Sequence, residues 1–172
     1  DYGPSFTQLD VVRAIQGLED GLSGAGVMLG IIDTGAGDLT QAAISPIVSS
    51  GRLVGQRDFT GFDDDGSRHA LAVLSIAAGF DPGQLIGPAY GAQIILARTE
   101  YAPTETNQEE DNFVAGIEWM ESEGVDVVNI SLGYSEFDPA EHSYVYEDMD
   151  GDTAITTRAA DFAASLGVTV VN

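Results

Sequence analysis

Short runs of β-branched and apolar residues, separated by stretches of helical periodicity, constrain this sequence more than any other feature. Val27-Met28-Leu29-Gly30-Ile31-Ile32, Ile94-Ile95-Leu96-Ala97, residues 125–130 and Val168-Thr169-Val170-Val171 are of strand length and bounded by Gly or polar turns. Near-continuous apolar strands of this kind are buried on both faces. Leu53-Val54 and Arg57-Asp58-Phe59 suggest a weaker strand. Between the runs lie helical patterns. Residues 8–18 place Leu9, Val12, Ile15 and Leu18 on one face, and residues 69–78 are rich in Ala, Leu and Ile. Residues 108–123 present a stripe of Phe113, Ile117 and Met120 with Val114 beside it, and a last helix over 153–166 is ended by Gly167. Asn107 and Glu110 have the spacing of a capping box, and Glu109, Glu110 and Asp111 suit the positive end of a helix dipole. Helices between buried strands predict an α/β fold, a mostly parallel sheet with helices on both faces. No repeat or linker interrupts the pattern, so residues 1–172 read as one domain.

In such a sheet, chemistry gathers outside the carboxyl ends of the strands. Asp33-Thr34-Gly35 follows the first run and Ser131-Leu132-Gly133 follows residues 125–130. A carboxylate at the end of a buried strand is costly unless it is paired or hydrogen-bonded. His69, one of two histidines, opens an apolar helix after Asp65-Gly66-Ser67. Taken singly, Asp33 is a turn or cap residue and His69 a first-turn residue without a task. Taken together they make a pair in which the carboxylate fixes the imidazole tautomer, leaving the other ring nitrogen as general base for a hydroxyl. The order Asp, then His, then Ser is one of the known triad orders.

The charge limits the partners. Twenty-eight acidic residues face six basic ones, all Arg, for a net charge of −22. This excess disfavours nucleic acid and anionic membranes and fits a surface solvated for high salt, resembling proteins of salt-loving organisms. Stability is therefore expected to rise with salt. The absence of Cys excludes disulfides, a thiol nucleophile and thiolate metal sites. No apolar run has the length of a membrane span, and Asp1-Tyr2-Gly3-Pro4 does not read as a signal peptide. Asp148, Asp150 and Asp152, with Gly151 among them, resemble the start of a calcium loop, although Ala159 stands where an EF-hand closes with Glu. A solvated acidic turn is the alternative there. Asp63-Asp64-Asp65 reads as plain surface and His142 as an exposed loop residue.

Several segments, in order, carry a resemblance to the subtilisin-like serine endopeptidases. Residues 24–35, with Gly24-Ala25-Gly26-Val27 leading to Ile31-Ile32-Asp33-Thr34-Gly35, are similar to that family's segment around its catalytic Asp. Residues 69–79 resemble its His segment and helix, 36 residues later. Ile86-Gly87-Pro88-Ala89-Tyr90-Gly91-Ala92 resembles its G-V-A-P-x-A turn, with Tyr90 in place of Pro. Gly116-Ile117-Glu118-Trp119 through Asn129-Ile130-Ser131-Leu132-Gly133 resembles its A-I-x-W…N-[MI]-S-L-G block, and residues 160–172 the helix and strand before its A-G-N segment.

The resemblance implies that Asp33 orients His69 and that His69 is general base and then general acid. It implies that Ser131, Leu132 and Gly133 pair with an extended peptide substrate and help form its side-chain pocket. It implies action outside the cytoplasm and chemistry that needs no cofactor, with structural calcium the one candidate ion. The 172 residues contain neither A-G-N nor G-T-S-[MA], so the nucleophile is expected outside them, and this piece alone is expected to be inactive and to self-associate or bind the missing carboxy-terminal part. Ala70 and Leu71 replace the Gly and Thr that usually follow the catalytic His, and Arg68 opposes Asp33 in setting the charge of His69. A catalytically inert module on the same fold is therefore the rival reading. Asp33-Thr34-Gly35 with Leu85-Ile86-Gly87 also echoes aspartic proteases, but their nearly all-β fold conflicts with the helical stripes. A nucleotide-binding sheet lacks its Gly-rich phosphate loop.

Overall fold

The apolar runs become the strands of one parallel sheet. The structure, a computed structural model, describes residues 1–63 and 67–172. In chain order the elements are α1 (Phe6–Val11), α2 (Ala14–Glu19), β1 (Met28–Asp33), α3 (Ser45–Ser49), β2 (Leu53–Asp58), α4 (His69–Ala78), β3 (Phe80–Asp81), β4 (Leu85–Ile86), β5 (Gln93–Arg98), α5 (Gln108–Ser122), β6 (Val127–Ile130), α6 (Ile155–Ser165) and β7 (Thr169–Val171). The strand order is β2-β5-β1-β6-β7, with every neighbouring pair parallel. β1 is central. Its register runs from Met28 opposite Gln93 to Asp33 opposite Arg98 on one side, and sets Ile32 opposite Ile130 on the other.

Alternation along the strands divides the interior into two cores. Leu29, Ile31, Ile94 and Leu96 face α3 and α4, where they meet Ile47, Leu71, Leu74 and Ala78. Ile32, Ile95, Ala97 and Val128 face α5 and α6, where they meet Phe113, Ile117, Met120 and Ala163. The sheet is thus covered on both faces, as the buried strands require. Gly30, in the middle of β1, lets α5 settle closely: a Cβ there would lie 2.6 Å from Met120 Sδ.

Two expectations are corrected. The continuous helix over 8–18 is two short helices, because Arg13 adopts a left-handed conformation (φ 59°) and turns the chain. Of its proposed apolar face, Leu9 is buried whereas Val12 is exposed. The capping box at Asn107 does not form. Its amide instead exchanges two 2.9 Å hydrogen bonds with the backbone of His142, and Glu109 accepts from the Thr106 and Tyr101 amides. The antiparallel β3–β4 hairpin was not foreseen. Asp64 and Asp65 of the acidic run lie outside the described residues. Among the described residues no helix is long and apolar enough to cross a membrane.

Candidate active site

Asp33 is the last residue of the central strand and is 1% exposed. Burial makes its charge dependent on donors, and the fold supplies them locally. Oδ1 accepts from the Thr34 amide (2.6 Å) and the Thr34 hydroxyl (3.1 Å). The Thr34 hydroxyl also meets the Ser67 hydroxyl at 2.8 Å, tying the residues just before α4 to the end of β1. His69 is the first residue of α4, whose buried Ala70, Leu71, Leu74 and Ala78 hold that helix against the sheet. The imidazole Nδ1 consequently lies 2.8 Å from Asp33 Oδ1 and 2.9 Å from Oδ2. An ionised carboxylate can only accept, so Nδ1 carries the proton and neutral His69 keeps a lone pair on Nε2. The His69 side chain is 52% exposed, which leaves that second edge open. Arg98, beside Asp33 in the sheet, directs its guanidinium elsewhere, to Asp58 (2.9 Å) and the carbonyls of Phe62 and Asp63.

Ser131, Leu132 and Gly133 follow β6, so the register of β1 and β6 brings them to the same sheet edge as Asp33. The Ser131 hydroxyl accepts from the Asn129 amide at 3.0 Å. Leu132 and Gly133 line a cleft of about 440 Å³ together with Phe113, Tyr134 and Met149. From its hydrogen-bonding surroundings, the Asn172 amide nitrogen donates to Ile130 O (2.8 Å) and Leu132 O (3.2 Å), bracing the same segment.

The acidic turn is closed by local hydrogen bonds. Asp148 accepts from the Val145 amide, and Asp150 accepts from the amides of Asp152 and Thr153 and from the Thr153 hydroxyl. These bonds, led by the one from the Asp152 amide, hold the Asp150 carboxyl below its usual range. Among the described residues, no three His, Cys, Asp or Glu side chains gather as a metal site.

Two residues beside the cleft escaped sequence reasoning. Glu100, two residues past β5, is buried and receives the hydroxyls of Tyr134 (2.5 Å) and Thr99 (3.0 Å). Burial pushes its carboxyl up to about 7; the Tyr134 bond opposes this, and the charges of Glu109 and Glu105 reinforce it. The Tyr134 ring stands edge-on to Phe113, their centroids 5.5 Å apart. The available signal was the one used for Asp33, a carboxylate just past a buried strand.

Residues 24–171, which contain both members of the Asp33–His69 pair, match the subtilase family of peptidases. The chain belongs to the subtilase family. This subtilase chain is 28% identical over 174 residues to subtilisin DY of Bacillus licheniformis, a match spanning 99% of this chain and 53% of that protein. Its fold is shared with the CspB protease of Clostridium perfringens (TM-score 0.61, 16% identity, covering 94% of this chain and 39% of that one). It is also shared with MycP1 from Mycobacterium smegmatis (TM-score 0.59, 17% identity, covering 94% and 43%). The subtilase chain thus spans about half the length of the relatives it matches. Its parallel sheet rules out the aspartic-protease reading of Asp33-Thr34-Gly35.

Proposed function

We propose that the subtilase containing this chain is a serine endopeptidase in which Asp33 and His69 act on a serine supplied by polypeptide outside these 172 residues. The observation that carries this reading is the contact of both Asp33 oxygens with His69 Nδ1, at 2.8 and 2.9 Å, while the far edge of the ring stays open. His69 Nε2 takes the serine proton as the hydroxyl attacks the peptide carbonyl, and the buried carboxylate stabilises the imidazolium that results. The same proton then passes to the leaving amine, and water releases the acyl group by the reverse sequence. Ser131, Leu132 and Gly133 offer backbone to an extended substrate; a Cβ at Gly133 would meet nothing within 4 Å, so this edge is unobstructed. Secretion accords with the family.

The rival reading, an inert module, rests on Ala70, Leu71 and the lack of a G-T-S-[MA] segment within these 172 residues. Ala70 and Leu71 are buried in the α4 core, at 4% and 8% exposure, and the Asp33–His69 contact forms in their presence. In the complete protein, His69→Ala is expected to lower turnover by about three orders of magnitude or more. A phosphonate directed at activated hydroxyls should label one serine in the unmodified protein and label the variant far more slowly. A folded complete protein that is never labelled would establish the inert module.

A further inference from the structure

Arg98 closes β5 between two aspartates: the register sets Asp33 of β1 opposite it on one side and Asp58 of β2 on the other. Its side chain is buried, so its charge needs partners close by. The guanidinium turns to Asp58, whose Oδ1 already accepts from the Thr60 amide and hydroxyl and whose Oδ2 accepts from Arg98 Nη1 at 2.9 Å. That choice leaves the Asp33 carboxylate to His69. Nη1 also donates to Phe62 O (2.9 Å), and Nη2 donates to Asp63 O (3.0 Å). The stem of the same side chain lies against the turn that carries Asp33: a Cβ at Gly35 would be 3.3 Å from Arg98 Cδ. One buried residue thus touches both the turn after β1 and the chain that leads to α4. Farther along that chain, the Ser67 hydroxyl meets the Thr34 hydroxyl at 2.8 Å and accepts from the His69 amide at 3.4 Å. The described residues on the way to His69 are therefore tied to the end of β1 and β5 at two places.

We propose that Arg98 is a positioning residue for the Asp33–His69 pair, a buried clamp whose guanidinium sets the carbonyls of Phe62 and Asp63, and through them the approach to His69, against the turn that bears Asp33. The inference rests on the peptidase reading above and adds a residue which that reading does not use. Arg98 acts through the two loops and touches no substrate. A guanidinium suits the task because its planar fork donates in several fixed directions from one stem. A methionine of similar length would fill the space but leave Asp58 and two carbonyls without their donor. His69 Nδ1 reaches both Asp33 oxygens at 2.8 and 2.9 Å only while the start of α4 keeps its distance from β1. A displacement of about 1 Å at a catalytic group can cost on the order of a hundredfold in rate.

The test uses the complete protein with nitrogen-15-labelled histidine, at mildly alkaline pH. In the parent, His69 should show the ring-nitrogen shifts of an imidazole protonated at Nδ1 alone, whereas the exposed His142 should average both tautomers. Arg98→Met should move the His69 shifts toward that average and leave His142 unchanged. It should lower kcat by on the order of tenfold or more and change KM by less than roughly threefold. Arg98→Lys, which keeps a charged donor, should restore most of the His69 signal and of kcat. Arg98→Gln gives the same comparison as Arg98→Met if the Met variant fails to fold. A folded variant that is merely less stable, with His69 shifts and kcat as in the parent, would overturn the proposal. So would a fall in kcat with the His69 shifts unmoved. The nitrogen shifts need no turnover. A protein that cleaves nothing yet shows the His69 change on Arg98→Met would sink the peptidase reading and keep this one; a cleaving protein whose His69 shifts ignore Arg98 would sink this one and keep that reading.

Discussion

At Glu100 a single carboxyl controls a measurable share of the pH response. Its pKa, raised from 4.5 to about 7 by burial, means that the folded chain holds the proton more tightly than the unfolded chain does. The stability this provides is complete below about pH 4.5, falls as pH rises, and is gone above about pH 7. Burial shifts Glu109 in the same direction. Glu100→Gln should therefore flatten the loss of stability between those two pH values and leave the variant more stable than the parent at pH 8, by up to about 3 kcal/mol. Urea unfolding across that range measures it; a variant with an unchanged pH slope would contradict the assignment. Asp33 and His69 were legible only as a pair, through the strand-end place of one and the resemblance of residues 24–35 and 69–79 to subtilase segments. The Glu100–Tyr134 bond spans 34 residues and follows no period, so only the folded chain reveals it.

Elements are legible where burial enforces a pattern. The strands β1 and β5 are buried along almost their full length, and their apolar runs mark them clearly. β2 is an edge strand with mostly exposed residues and an irregular register at Leu53 and Gly55, which is why its signal is weak. Helical spacing over 8–18 was misleading because two short helices on either side of Arg13 carry the same apolar positions as one long one. β3 and β4 hold two residues each, too few for a period to show. The packing of α5 on β1 also depends on Gly30, whose missing side chain no pattern explains. Gly30→Ala would press a methyl group against Met120 and within 3.2–3.3 Å of Val125 and Val128. The expected cost is about 1–3 kcal/mol, measured as a lower urea midpoint with an unchanged slope. A neutral result would mean that Met120 moves aside freely.

At the scale of the whole molecule the sequence carries a net charge of −22. Among the described residues Arg98 pairs with Asp58, and neutral His69 hydrogen-bonds Asp33 without cancelling its charge, while the sequence sets 28 acidic side chains against six arginines. Like-charge repulsion at this density opposes the compact state and weakens as the Debye length shrinks from about 10 Å at 0.1 M salt to about 3 Å at 1 M. We expect the melting temperature of the folded protein to climb steadily over that range, with sodium chloride as effective as potassium chloride. A flat or falling curve in differential scanning calorimetry would refute the halophilic reading of the surface.

The support for the imidazole of residue 69 has a further consequence. Its carboxylate anchor, the threonine that steadies the anchor, the serine that bridges to the helix and the helix itself all lie within residues 33–78. On the peptidase reading proposed above, the proton-accepting pair is thus prefabricated within residues 33–78. On that same reading, if this chain and the polypeptide carrying the serine were made separately and mixed, peptidase activity is expected to appear at the pace of their docking, with no later phase for setting the base in place.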